Sequence, residues 1–174
     1  MKNMDLAAIA ELSHSTLRNY ILPGLDSSLL GATTRIFTNT RESSGMITPH
    51  SHRFDFQCLV MRGSVVNTIY DVDEAGDAYM MSSLRYMGEP GAYEKLQGLD
   101  GLFVARKATY EAGEWYGMRH DEIHSISFSR DAVVLFIEGE QVTDTSVYLE
   151  PFVRGEVIPT MNTGPWMFAK EAEQ

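Results

Sequence analysis

The pattern of apolar and polar positions changes character near Gly31. Before it, Leu6, Ile9, Leu17, Tyr20 and Ile21 recur at helical spacing, Asp5 stands where an N-cap belongs, and Pro23-Gly24 follows as a stop. The spacing predicts a helix over Asp5–Leu22, with His14 on its polar side as a surface residue. After Gly31 the chain breaks into short runs of β-forming residues: Thr33–Thr40, Phe54–Arg62, Val65–Val72, Ala78–Tyr86, Leu102–Tyr110, Glu114–Met118, Ile123–Ser127, Val133–Glu138 and Ser146–Phe152.

The punctuation between these runs is short. Gly63-Ser64, Glu74-Ala75-Gly76-Asp77, Ala112-Gly113 and Arg130-Asp131 are of hairpin length, and no helical pattern separates the strands. Many short strands joined this way predict an antiparallel sandwich or barrel, a mainly β fold behind an N-terminal helix. Gly88–Gly101, with Gly88, Pro90, Gly91, Gly98 and Gly101, is expected to be the longest irregular loop and to rim a pocket. The expected organisation is one domain: a helix over 1–24 packed on the barrel, the barrel itself over 25–155, and a tail over 156–174. Pro159, Pro165, Trp166 and Phe168 suit a tail that packs across the barrel before a charged end.

Composition narrows the function. The chain has 174 residues, enough for one well-buried domain, with 44% hydrophobic and 22% charged residues. Its net charge of −10 argues against nucleic acid or an anionic membrane as partner, because either needs a basic footprint. Cys58 is the only cysteine, so no intrachain disulfide forms. No apolar run approaches the length of a membrane span, and the first residues lack a secretory pattern, so a cytoplasmic location is expected.

The chemistry is concentrated in histidine. Four of the five histidines fall into two clusters, His50-Ser51-His52 and His120…His124. Neutral imidazole is the commonest metal ligand, and residues separated by one position share a side of an extended strand. The first cluster follows Gly45-Met46-Ile47-Thr48-Pro49 and leads into a strand ending at Gly63. The second lies in Gly113–Ile126, where a strand, a tight polar turn and a returning strand succeed one another. Gly, His-x-His, a strand and Gly, answered by a later histidine beyond a tight turn, resemble the motifs of the cupin superfamily, which implies a jelly-roll barrel. Within that superfamily, Tyr116…Ile123-His124-Ser125-Ile126 and Ala132–Gly139 are similar to the cysteine dioxygenase-like three-histidine iron proteins.

The resemblance implies that His50, His52 and His124 are facial metal ligands, with His120 as the alternative third ligand because Gly117-x-x-His120 also imitates the second motif. It implies Fe(II), with Zn, Ni or Mn as alternatives, open positions for a small-molecule substrate and O₂, and a homodimer. The glutamate ligand usual in cupins is missing. With four residues intervening after His52 its place falls on Gln57, and with three it falls on Phe56. Gln57 would be a weak ligand or a hydrogen-bond donor; Phe56 would leave a pure three-histidine site. Tyr70, Tyr79, Tyr110 and Tyr116 are expected on strands as hydroxyl donors toward the site, Tyr116 foremost. Arg53, Arg62, Arg85, Arg106 and Arg119 are candidates for a substrate anchor, and Cys58 reads as a core thiol. Three functions follow: a non-heme iron oxygenase resembling the thiol dioxygenases, a cupin lyase, isomerase or hydrolase using a divalent metal as Lewis acid, or a non-catalytic ligand-binding cupin.

Overall fold

The structure is a computed structural model, and it describes residues 16–18, 25–40, 49–88, 93–153 and 156–157. The described residues form eleven strands and no helix. In chain order they are β1 (Thr16–Arg18), β2 (Leu25–Leu29), β3 (Thr34–Asn39), β4 (Phe54–Arg62), β5 (Ser64–Tyr86), β6 (Tyr93–Glu111), β7 (Trp115–Met118), β8 (Ile123–Phe128), β9 (Val133–Gln141), β10 (Thr145–Val153) and β11 (Glu156–Val157).

Every pairing is antiparallel. One sheet runs β1-β2-β3-β9-β4-β7, the other β11-β10-β5-β6, and β8 pairs with the first half of β5. From β6 to β10 the chain alternates between the sheets, so consecutive strands there face each other across the core instead of lying side by side. The core between them draws Phe56, Cys58 and Val60 from β4, Tyr116 and Met118 from β7 and Val134 and Phe136 from β9. Val65 and Ile69 of β5 and Ile126 and Phe128 of β8 meet them from the opposite sheet. In β4 this follows from period-two alternation, with Phe56, Cys58 and Val60 buried while Asp55 and Gln57 are exposed. Each fully buried apolar side chain contributes about 1.5–3 kcal/mol, which makes this layer the main source of stability.

Three sequence expectations need correction. The helix predicted over Asp5–Leu22 is a strand at Thr16–Arg18, paired with Asp26–Ser28; pairing along a sheet edge overrides a modest helical periodicity there. The rest of that segment, His14 included, lies outside the described residues. Next, Glu74–Asp77 is not a hairpin turn. The strand β5 runs on through it, and Phe103 stands opposite both Val72 and Asp77, so the intervening residues bulge out. Finally, much of the loop predicted over Gly88–Gly101 belongs to β6. A Cβ on Gly98 would lie 2.7 Å from the Met81 carbonyl oxygen, so this glycine permits close strand packing and does not mark a turn. The predicted tail is described only at Glu156–Val157, which pair with Phe152 and Val153. Among the described residues no helix is long and apolar enough to cross a membrane.

The β4–β5 turn is set by Gly63, whose φ of +72° is the left-handed conformation. A Cβ there would also lie 2.5 Å from Ser129 Oγ and 2.9 Å from Ala132 Cα. Gly113 has φ +94° but open space around it. Gly63→Ala is therefore expected to lower the urea-unfolding free energy by about 2–3 kcal/mol, from backbone strain plus crowding. Gly113→Ala is expected to cost only the backbone part, about 1 kcal/mol. Equal losses at the two positions would contradict this account.

Candidate metal centre

Pro49, His50 and Ser51 do not belong to a long strand, yet their backbone is held on both sides. The His50 N–H donates to His124 O and the His124 N–H to His50 O, each at 2.8 Å. On the other side Ser51 N–H donates to Val147 O at 2.7 Å and Leu149 N–H to Pro49 O at 2.8 Å. Val147 N–H donates in turn to Ser51 Oγ at 2.9 Å. The segment thus fills the gap between β8 and β10, with His50 directly opposite His124 on one side and Tyr148 on the other. Directly opposed residues of antiparallel strands project from the same face, so His50 and His124 point together toward the space between the sheets. His52, two residues on, follows them, its N–H donating to His120 O at 3.2 Å.

The three rings converge. Their centroids lie 4.8 Å apart for His50–His52, 4.9 Å for His50–His124 and 5.2 Å for His52–His124. One ring nitrogen from each falls within 4.8 Å of the others. All three residues are buried, at 4%, 9% and 3% exposure for His50, His52 and His124. Burial drives the imidazole pKa of His52 well below its usual value, reinforced by His50 and His124, and does the same for His124, reinforced by His50. Both are neutral near pH 7, the state in which imidazole donates a lone pair.

Tautomers follow from the neighbours. His124 Nδ1 lies 2.7 Å from Asn67 Oδ1, and Asn67 Nδ2 donates to Met118 Sδ at 3.1 Å, which orients the amide with its oxygen toward the ring. The proton of His124 is therefore on Nδ1, and its Nε2 presents a lone pair. That Nε2 faces His52 Nε2 at 3.0 Å. Two nitrogens bound at about 2.1 Å to one ion and at right angles to each other stand about 3.0 Å apart, so the spacing suits adjacent ligands of a single metal. His52 Nδ1 is buried and has no partner, an arrangement costing about 1–3 kcal/mol. With no tether on Nδ1, the His52 proton can sit on either nitrogen, and the ring can give its Nε2 lone pair to an ion. Convergent and partly orphaned, with His52 and His124 held neutral by burial, this donor set fits a divalent cation.

Aromatic side chains close the site on the opposite sheet. Phe56 stands 4.7 Å from the His52 ring and 5.6 Å from that of His124, and Phe54 and Phe136 stand 5.5 and 6.3 Å from His52. Phe56, not Gln57, thus points inward toward the histidines. Gln57 is exposed on the outer face of β4, beside Gly117 and Ile137, because alternation places neighbours on opposite faces.

The other sequence candidates are placed as follows. The His120 ring lies away from the cluster: its Nδ1 is 2.8 Å and its backbone N 2.7 Å from Asp55 Oδ1, and its side chain is 31% exposed. The hydrogen bonds from His120 hold the Asp55 carboxyl below its usual pKa. This pair ties the turn before β8 to β4, the strand that follows His52. Tyr116 is buried, stacks on Tyr110 at 4.5 Å, and donates its hydroxyl to Cys58. Burial pushes the Cys58 thiol up to about 12, so it stays protonated. Tyr116 stands opposite Cys58, one inward pair further along the sheet than Met118 and Phe56. Tyr70 lies 3.4 Å from Ser125 Oγ and makes an edge contact with Tyr79, which packs on Phe103; these belong to a second apolar cluster with Leu149. Of the arginines, Arg53 stacks over Tyr86 at 4.0 Å and Arg62 donates to Asp131 O. Arg85, Arg106 and Arg119 are exposed and paired with Glu94 and Asp144, Asp71, and Asp121 respectively. Asn67 escaped the sequence analysis. An asparagine inside an apolar strand, 1% exposed, is the signal that marked it, since such a group is buried only when something satisfies it.

No family model matches the chain, and no curated protein matches it. Solved structures similar to it include the Drosophila melanogaster CENP-C cupin domain, at 12% identity over 75% of this chain and 81% of that one, TM-score 0.38. Hydroquinone 1,2-dioxygenase from Sphingomonas sp. TTNP3 with 4-hydroxybenzoate bound matches at 15% identity over 65% and 64%, TM-score 0.35. KdgF from Halomonas sp. matches at 13% over 73% and 88%, TM-score 0.32. Likenesses this remote assign no function.

If Asn67 orients His124, Asn67→Ala is expected to weaken zinc binding about 10–100-fold without abolishing it. His120→Ala is expected to retain zinc at wild-type stoichiometry. Competition with a chromophoric chelator measures both, and a reversed order would exchange the roles of the two residues.

Proposed function

We propose that this chain is a cupin whose His50, His52 and His124 bind one divalent metal, Fe(II) foremost, and that it acts on a small molecule with O₂. The observation that carries this is the convergence of three buried imidazoles, with His124 Nε2 aimed inward by Asn67 and 3.0 Å from His52 Nε2. The alternation of strands between two facing antiparallel sheets, with one histidine pair entering β4 and a third residue on β8, agrees with a jelly-roll barrel.

The chain's own residues define what the site can do. Three neutral ligands leave the full charge of a divalent ion uncompensated, so an anionic substrate group is drawn to it. The phenyl rings of Phe54, Phe56 and Phe136 line the approach to His52 and keep that side dry, which strengthens any charge interaction inside. Fe(II) held this way supplies open positions at which a substrate and O₂ can meet. Among the described residues no carboxylate stands with the clustered histidines, so the ligand set itself adds no negative charge at the ion. The three-histidine set without glutamate is also what suggests the cysteine dioxygenase-like branch and small thiols as the first substrates to try.

Protein purified without oxygen is expected to hold close to one iron per chain. His50→Ala, His52→Ala and His124→Ala are each expected to lose it while keeping the wild-type circular dichroism, because the apolar core and not the ion supplies most of the stability. Iron-loaded protein is expected to consume O₂ when small thiols are added. Turnover sustained by zinc, manganese or nickel without O₂ would contradict the oxygenase assignment. Failure to retain any metal would contradict the metal centre itself.

A further inference from the structure

The row of residues that contains the histidines continues past them. Reading across the second sheet, Ser82 on β5 stands opposite Tyr148 on β10, Tyr148 opposite His50, His50 opposite His124 on β8, and His124 opposite Ile69 on the first half of β5. Directly opposed residues share a face, so Ser82 and Tyr148 project to the same side as His50 and His124. The flanking rows add two charges to that face. Ser146 stands opposite Leu84, which stands opposite Lys95 on β6; Glu150, two residues beyond Tyr148, stands opposite Met80.

These side chains form a cluster that the metal centre does not use. Lys95 Nζ lies 5.4 Å from the centre of the Tyr148 ring. Tyr148 first, and Glu150 in addition, favour the charged Lys95 ammonium. Glu150 is buried at 6% exposure, close enough to act on Lys95 but forming no ion pair with it within 4 Å. Ser82 is 1% exposed, and its Oγ is buried without a hydrogen-bond partner. A buried hydroxyl left unsatisfied is destabilising, and such an atom marks a position that a ligand can complete. Gly98 lies against it, where a Cβ would be 3.1 Å from Ser82 Oγ, so the neighbouring strand leaves that hydroxyl uncrowded.

We propose that Tyr148, Lys95 and Ser82 form an anchoring subsite beside His50 for the carboxylate of a small organic acid. The donors are of the right kind: one ammonium and two hydroxyls, set on the face from which the histidines project. Glu150, on the same face, acts as a positioning residue that balances the Lys95 charge when no ligand is bound. A carboxylate seated here would place the remainder of the molecule next to His50. The location beside a metal rests on the three-histidine proposal; the anchoring itself does not, and can be measured without metal.

The test uses the full chain and benzoate as the probe, with benzamide as its neutral counterpart, by isothermal titration calorimetry and NMR line shifts. In chelator-treated protein, benzoate is expected to bind more tightly than benzamide. Lys95→Met and Tyr148→Phe are each expected to weaken benzoate about tenfold or more, the size of a lost hydrogen bond to a charged group. Lys107→Met, an exposed lysine elsewhere on β6, is expected to change nothing, and all variants are expected to keep wild-type zinc stoichiometry. Benzoate binding that is absent, equal to that of benzamide, or unaffected by both substitutions would overturn the subsite. So would benzoate binding that appears only with zinc and is the same in all variants, since the ion alone would then hold the carboxylate. Carboxylate anchoring that depends on Lys95 and Tyr148 in a protein that binds no zinc would sustain the subsite and overturn the metal centre instead.

Discussion

Everything at this site depends on how three residues of backbone are held. Pro49, His50 and Ser51 are hydrogen-bonded to β8 on one side and β10 on the other, and through them two segments distant in sequence become neighbours in one sheet. The paired N–H···O bonds between His50 and His124 fix not only proximity but face: a slip of one residue would turn one imidazole outward. The bond from His52 N–H to His120 O and the clamp of His120 on Asp55 hold the other end of the segment. The histidines therefore lie on a rigid frame whose register is set by backbone bonds and not by the rings themselves.

That frame imposes a cost which the proposed metal relieves. Three imidazoles share a compartment with Phe54, Phe56 and Phe136 in which charge is strongly disfavoured, and burial is the leading cause of the lowered pKa values of His52 and His124. For a group of this kind the folded protein binds fewer protons than the unfolded chain, so metal-free protein is destabilised as the pH falls below 6.5 and unaffected well above it. A polar cluster in an apolar core is retained when it has a use. The site supplies one, a neutral donor set whose lone pairs converge on a common point.

Much of this was legible in the chain. The strand runs from residue 33 onward correspond to β3–β10, because alternation and hairpin-length punctuation report directly on backbone geometry. The grouping of His50, His52 and His124, not His120, was also readable, since Ile123-His124-Ser125-Ile126 has the pattern of a strand and His120 sits among turn residues. Counting along the motif left positions 56 and 57 both open because it ignores the pleat: alternation in β4 sends Phe56 in and Gln57 out. Glycine misled. Gly76, Gly98 and Gly101 read as turn formers but lie within long strands, the first two where backbone approaches closely and the third against the Phe103 ring. Asn67 and Tyr148 were invisible as partners because what makes them relevant is the residue across the strand, a relation that no local window contains. The contact of Tyr116 with Cys58 is of the same kind.

The account stands or falls on the ligand set. X-ray absorption at the metal edge of iron- or zinc-loaded protein counts imidazoles by their multiple-scattering signature. Wild type is expected to show three nitrogen ligands from histidine at about 2.0–2.2 Å, and His120→Ala the same three, while any residual metal in His124→Ala should show at most two. Fewer than three imidazoles in the wild type, or the loss of one in His120→Ala, would contradict the three-histidine centre on which the rest is built.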